Sequence, residues 1–321
     1  MFFALVFLLL PLGIFAEDAP IKAGIIGLDT SHVVAFTDIF HDPKASGDLA
    51  GIKIVAAFPG GSPDIEGNAK HIADYTAKLK EKGVEIVDSI DALLTKVDVV
   101  LIESVDGRPH LSQALPVLKA KKKLFIDKPV GGTLKDAVEI YRVAKEQGVP
   151  IFSSSALRFC TGIAAARTDP KFGEVLGCEA FSPCALEPHH PDLFWYGIHG
   201  VETLFTVMGP GCVSVTRVQT KDTEFVTGVW KDGRVGTFRG LRAGKHDYGA
   251  TVYGTKAIGQ AGGFTGYQNL VVEIAKFFKT GKSPVTAEET IEIHAFMEAA
   301  DESKRQDGKP VTLESVMAKA K

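Results

Sequence analysis

From Ile21 onward, short apolar runs alternate with longer stretches whose apolar residues recur at helical spacing. Lys22 to Leu28 reads as a strand, and His32 to Phe40 follows as a helix carried by Val33, Val34, Phe36, Ile39 and Phe40. Ile52 to Phe58 is a second strand, and Asp64 to Lys82 a polar helix. Val84 to Val87 and Val99 to Glu103 are further strands, separated by a short helix begun at Asp88 or Ser89. Pro109 to Ala120 is a helix with proline in its first turn, Leu124 to Ile126 a strand, and Thr133 to Gln147 a helix ended by Gly148 and Pro150. Strands alternating with helices of this length predict a parallel, doubly wound sheet.

The rhythm changes near Ile151. Phe172 to Pro183, Val213 to Thr220, Glu224 to Trp230, Val235 to Leu241 and Tyr248 to Gly254 are strand-like. Asp232-Gly233 sits between two of them and suits a tight turn with positive φ angles. Strands joined in this way are antiparallel, so an α+β domain on a mostly antiparallel open sheet is expected, closing with helices over Tyr267 to Lys279 and Ala287 to Lys304. The expected organisation is a leader over 1–18, a Rossmann-type domain over 20–150 and an α+β domain over 151–321.

At 321 residues, two domains are the natural prior. The composition is 45% hydrophobic and 23% charged with a net charge of −3, and no basic run or basic-aromatic stripe points to nucleic acid. Phe2 to Leu10 are wholly apolar, Pro11 and Gly13 follow, and Ala16-Glu17 offers a small-residue cut site. That segment is too short to span a bilayer, so a secretory leader and a periplasmic or secreted protein without stable membrane insertion are expected, although no Lys or Arg precedes the run. Cys160, Cys178, Cys184 and Cys212 form no C-x-x-C spacing and indicate neither a zinc site nor a redox motif.

The candidate chemistry begins at the apolar run Lys123 to Ile126, which ends in Asp127-Lys128-Pro129. A lysine at the carboxyl end of such a strand stands where open α/β sheets bind ligands, and Pro129 fixes the backbone beyond it. The turn after the first strand, Gly27-Leu28-Asp29-Thr30-Ser31-His32, occupies the place of a dinucleotide-binding fingerprint but keeps only its first glycine. A carboxylate facing a phosphate there costs roughly 4 kcal/mol at 4 Å and an effective dielectric near 20. Asp29 escapes that cost by turning inward, leaving Thr30 and Ser31 to offer hydroxyls. Phe58 stands where a ribose-binding carboxylate is usual, and Asp64 reads as a turn or cap residue. In the second half, Asp192-Leu-Phe-Trp195-Tyr196-Gly197-Ile-His199-Gly200 brings an imidazole to a helix start between two glycines, suited to moving a proton. Glu187, His189, His190 and Asp192 lie close in sequence, but adjacent histidines in an extended stretch point opposite ways, so no metal is expected.

Together these residues resemble the Gfo/Idh/MocA family of oxidoreductases, named for glucose–fructose oxidoreductase, inositol dehydrogenase and rhizopine catabolism. That family carries Glu-Lys-Pro where this chain has Asp127-Lys128-Pro129, and a histidine at the place of His110. Ser153 to Phe159 and Phe172 to Val175 look like its domain crossover, and Thr280 to Val311 like its closing helices. The resemblance implies NAD or NADP held near Gly27, Asp29, Thr30, Ser31, His32, Glu103, Asp127 and Pro129. It implies a small-molecule sugar or polyol substrate near Arg158, Asp192, Trp195 and Tyr196, catalysis by Lys128 and His199, and a homo-oligomer built on the second sheet. Three positions depart from the family pattern: Trp195 replaces its aspartate, Phe58 its ribose carboxylate, and the glycine loop is reduced to Gly27. The rival expectations are an exported carbohydrate-binding protein that has lost the cofactor, and a glycoside hydrolase or lyase using retained NAD transiently.

Overall fold

The computed structural model describes residues 19–320, so the expected leader lies outside the described residues. The first half contains β1 (Ile21–Ile26), α1 (His32–His41), β2 (Ile52–Phe58), α2 (Asn68–Glu81), β3 (Glu85–Ile86), α3 (Ile90–Leu94), β4 (Val99–Ile102), α4 (His110–Lys119), β5 (Lys123–Asp127), α5 (Leu134–Gln147) and β6 (Ile151–Ser154). Its six strands are all parallel, in the order β3-β2-β1-β4-β5-β6. This is the Rossmann arrangement, with the crevice at the strand tips where the order reverses. Thr133 caps α5 by accepting the Asp136 N–H, and Gly148 ends that helix in the left-handed region.

The sheet runs past the boundary expected at residue 150. β6 belongs to it, because Phe152 is fully buried against Phe125 and Phe277. Helix α2 starts at Asn68 rather than Asp64, because Gly67 sits in the left-handed region at φ 76° just before it.

The second half contains α6 (Thr161–Ala166), β7 (Val175–Pro183), a π-helical turn over Leu193–Gly197, α7 (Ile198–Met208), β8 (Cys212–Gln219), β9 (Thr223–Trp230), β10 (Val235–Leu241), β11 (Gly249–Gly254), β12 (Ile258–Ala261), α8 (Gln268–Thr280), α9 (Ala287–Arg305), β13 (Val311–Thr312) and α10 (Leu313–Ala320). The sheet order is β12-β11-β7-β10-β9-β8-β13, antiparallel except for the parallel pair β7–β10. The expected hairpin is there, with Gly233 at φ 85° between β9 and β10. Phe172 is a fully buried plug rather than the start of β7, and a third closing helix, α10, was not expected from the periodicity. All four cysteines are free and buried. Among the described residues no helix is long and apolar enough to cross a membrane.

Two packing facts position the site. Helix α8 returns to the first half, where Leu270, Ile274, Phe277 and Phe278 share a core with Phe36, Phe40, Phe125 and Phe152. Helix α7 lies on the second sheet, and Gly200 lets it approach, because a side chain there would strike the Phe238 ring and the Ser182 hydroxyl. Gly200 therefore serves packing. Substituting Gly200→Ala is expected to cost about 1–3 kcal/mol, the usual range for overpacking a tight core, read from the urea midpoint at unchanged m-value.

Candidate functional site

The tips of β1, β4, β5 and β6 form the crevice floor. β5 ends at Asp127, paired in register with Ser154 of β6, so Lys128 and Ser155 leave the sheet side by side. Lys128 is buried, and its Nζ lies 5.8 Å from the centroid of the Tyr196 ring. The Lys128–Pro129 peptide is cis. His110, at the start of α4, supports this turn: its Nδ1 lies 2.8 Å from the Pro129 carbonyl and its Nε2 2.9 Å from that of Ser104.

His199 reaches the same place from the other half. Its ring centroid is 5.1 Å from that of Tyr196, and its Nδ1 is 2.8 Å from Ser155 Oγ. His32, Ser155, Tyr196, His199, Tyr248 and Tyr267 line a cavity of about 80 Å³. The π-helical turn before α7 carries Tyr196, so a widened helical turn supplies the ring that both Lys128 and His199 face. Burial, together with the neighbouring Lys128 charge, pushes the His199 pKa well below its ordinary value, so the ring is neutral near pH 7.

Beneath the cavity lie two buried carboxyls. Burial and the Asp127 charge push Glu103 well above the ordinary carboxylate range. Burial alone acts on Asp127 in the same direction, but His32 and Lys128 outweigh it and hold Asp127 below its ordinary value. His32 Nδ1 is 2.9 Å from Asp127 Oδ2.

In the degenerate glycine loop, Gly27 has φ 90°, and a side chain there would run into Ser104. Asp29 turns inward and is only 3% exposed. It accepts the Val105 N–H at 2.9 Å and the Asn68 amide at 3.0 Å. The carboxylate therefore faces the protein, which removes the repulsion that a phosphate would otherwise meet. Ser31 makes no side-chain capping bond and is exposed, and Thr30 beside it is half-buried. The first turn of α1 is thus open to an anion.

Other expected site residues are engaged elsewhere. Arg158 is buried between Glu202 and Glu289. Asp192 pairs with Arg217 and Lys304. Trp195 packs on His190, 5.4 Å between ring centroids. His190 turns in toward Gly107, accepting its N–H, while His189 turns out to Glu187, so the adjacent histidines do point apart. Ser155, Tyr248, Tyr267 and Arg108 were missed. Ser155 stood in the run Ser153-Ser-Ser155 at a strand end, a signal that could have been used; the others depend on long-range packing.

Residues 21–155 match the model of the oxidoreductase family with an NAD-binding Rossmann fold. The match is to the Gfo/Idh/MocA oxidoreductases and covers the parallel-sheet half of the chain. The 2,7-anhydro-N-acetylneuraminate hydratase of Escherichia coli K12 is 32% identical over 100 residues, 29% of this chain and 26% of the relative. The 1,5-anhydro-D-fructose reductase of Ensifer adhaerens is 29% identical over 114 residues, 34% of each chain. The chain thus spans about a quarter to a third of the length of the curated relatives it matches. The scyllo-inositol dehydrogenase of Lactobacillus casei, solved with NAD(H) and scyllo-inositol, shares the fold at TM-score 0.75 and 17% identity, over 92% of this chain and 99% of that one.

The residues here fit a dinucleotide at two of its ends. The open first turn of α1 suits the diphosphate, with Asp29 averted, and Lys128 and His199 suit the nicotinamide end. The adenosine end departs from the family pattern, with Phe58 at the tip of β2 and Asp64 held in a double hydrogen bond by Arg108. Arg108 also clamps Asp106, which is fully buried and accepts the Ser62 hydroxyl as well. Removing this guanidinium leaves Asp106 buried without its charge partner, held only by the Ser62 hydroxyl and the backbone N–H of residue 108. Arg108→Ala is expected to destabilise the fold by about 3 kcal/mol in a urea titration, and adding Asp106→Asn to restore a substantial part of it.

Proposed function

We propose that this protein is an NAD(P)-dependent oxidoreductase acting on a sugar, polyol or related hydroxy compound. One observation carries the reading: Lys128 from the parallel sheet and His199 from α7 face the same Tyr196 ring at the edge of one cavity. The bound nicotinamide supplies the hydride acceptor or donor. Lys128 holds the reacting hydroxyl and favours its oxygen as negative charge develops there. His199, neutral near pH 7, takes the hydroxyl proton. Ser155 can donate to His199 Nδ1 or accept from it, so its hydroxyl accommodates either tautomer of the ring.

The substrate class is supported by the aromatic wall of Tyr196, Tyr248 and Tyr267, which suits the apolar face of a sugar or cyclitol ring. It is supported too by the anhydro-sugar and inositol substrates in the names of the relatives. At about 80 Å³ the cavity is smaller than a typical ligand site of roughly 300–1,000 Å³, so the aromatic wall parts when substrate enters. The apolar segment Met1 to Ala16 supports export. Free nicotinamide nucleotide is scarce outside the cytoplasm, so a tightly held cofactor, recycled by a second substrate, belongs to the same proposal.

The test is to denature the purified chain, look for released nicotinamide by absorbance and fluorescence, and titrate the stripped protein with NAD and NADP. Release or saturable binding is expected; neither, at millimolar nucleotide, overturns the reading. With nucleotide bound, Lys128→Ala and His199→Ala should each lower turnover of cyclitols or sugars by roughly a hundredfold or more. Because the folded-state pKa of His199 lies below 6.5, kcat/KM should stay flat as pH falls to that value and decline only below it. In His199→Ala that acid limb should vanish.

A further inference from the structure

The crevice floor contains a group of side chains that hydride chemistry does not use. Glu103, at the tip of β4, is fully buried, and neither of its carboxylate oxygens has a hydrogen-bond partner. Asp127 Oδ1, at the tip of β5, is also buried without a partner. His32 Nδ1, from the first turn of α1, lies 2.9 Å from Asp127 Oδ2 and 3.9 Å from Glu103 Oε2. A buried carboxylate is ordinarily paired, hydrogen-bonded or bound to a metal. Here two adjacent carboxyls leave three oxygens unmatched, and the His32 imidazole reaches one oxygen of Asp127.

We propose that His32, Glu103 and Asp127 bind one first-row divalent cation, Zn(II) or Mn(II), that ties α1 to the tips of β4 and β5. The donor atoms lie within 4.8 Å of one another. An ion with bonds of about 2.1 Å subtends about 90° across the shorter distance from His32 and about 135° across the longer, and about 0.5 Å of contraction brings all three donors onto it. One imidazole nitrogen with two carboxylates is a donor set such ions accept, leaving a coordination position open. The charge also balances. Burial and the Asp127 charge oppose ionisation of Glu103, and a bound cation supplies the positive charge that lets both carboxyls ionise together. The site adjoins the cavity through His32, with Glu103 out of contact with solvent, so the ion acts as a fastener of the crevice floor. The inference does not depend on the redox reading, since metal content and nucleotide content are measured separately.

The test uses the full chain, stripped with chelator and dialysed against Zn(II) or Mn(II) alone, with metal measured by mass spectrometry and thermal midpoint by calorimetry. One equivalent per chain and a raised midpoint are expected. Glu103→Gln and His32→Ala should each weaken binding at least tenfold, while His189→Ala, on the exposed Glu187 pair, should leave it unchanged. If Glu103→Gln fails to fold, His32→Ala decides the matter, since His32 is partly exposed on a helix start. No metal bound at 100 μM free ion, undiminished binding in His32→Ala, or loss in His189→Ala would each overturn the site.

Discussion

The geometry of the site depends on one buried carboxylate. Glu202, on α7 one turn beyond His199, accepts the Ser154 hydroxyl and the Ser155 N–H and pairs with Arg158. Those serines end β6, whose neighbour β5 delivers Lys128. A charge that is 3% exposed is stable only with its full set of donors, so α7 is held in a single position against the tip of the parallel sheet. Ser155 then spends its side chain on His199. The imidazole and the ammonium meet because Glu202 fixes the seam between the halves.

Much of this was legible in the chain. The alternation of apolar runs and amphipathic helices gave the parallel sheet, and Asp232-Gly233 the hairpin of the second. The placement of Lys128 at a strand tip and of His199 at a helix start was legible because a strand end before proline and a glycine-flanked helix start carry local information. The ion pairs that engage Arg158 and Asp192 were not, since they depend on residues such as Glu289 and Lys304, more than a hundred positions away. The membership of β6 in the parallel sheet was hidden for a similar reason. Gly148 and Pro150 punctuate the chain, yet Phe152 just beyond them is claimed by a core that includes α8.

The loop after β1 shows how a fingerprint can be lost while its architecture survives. With aspartate at the second glycine position, the chain turns the carboxylate inward and uses it to tie the β4–α4 loop and α2 to β1. A residue that would have repelled an anion becomes an internal strut, and the helix start it vacates stays open. His32, at the third glycine position, is likewise absorbed into the floor through Asp127.

Helix α8 carries a consequence for how this polypeptide can be divided. Leu270, Val271, Ile274, Ala275, Phe277 and Phe278 are wholly buried, and they complete a core whose other members, Val285 aside, lie more than a hundred residues earlier. Lys123 Nζ donates to the Phe278 carbonyl and adds a polar tie across the same join. A fragment that stopped where the parallel sheet ends would leave a greasy trough along α1 and β5 open to water. The nucleotide-binding half is therefore an incomplete folding unit on its own, and the late part of the chain must be made before the early part can close.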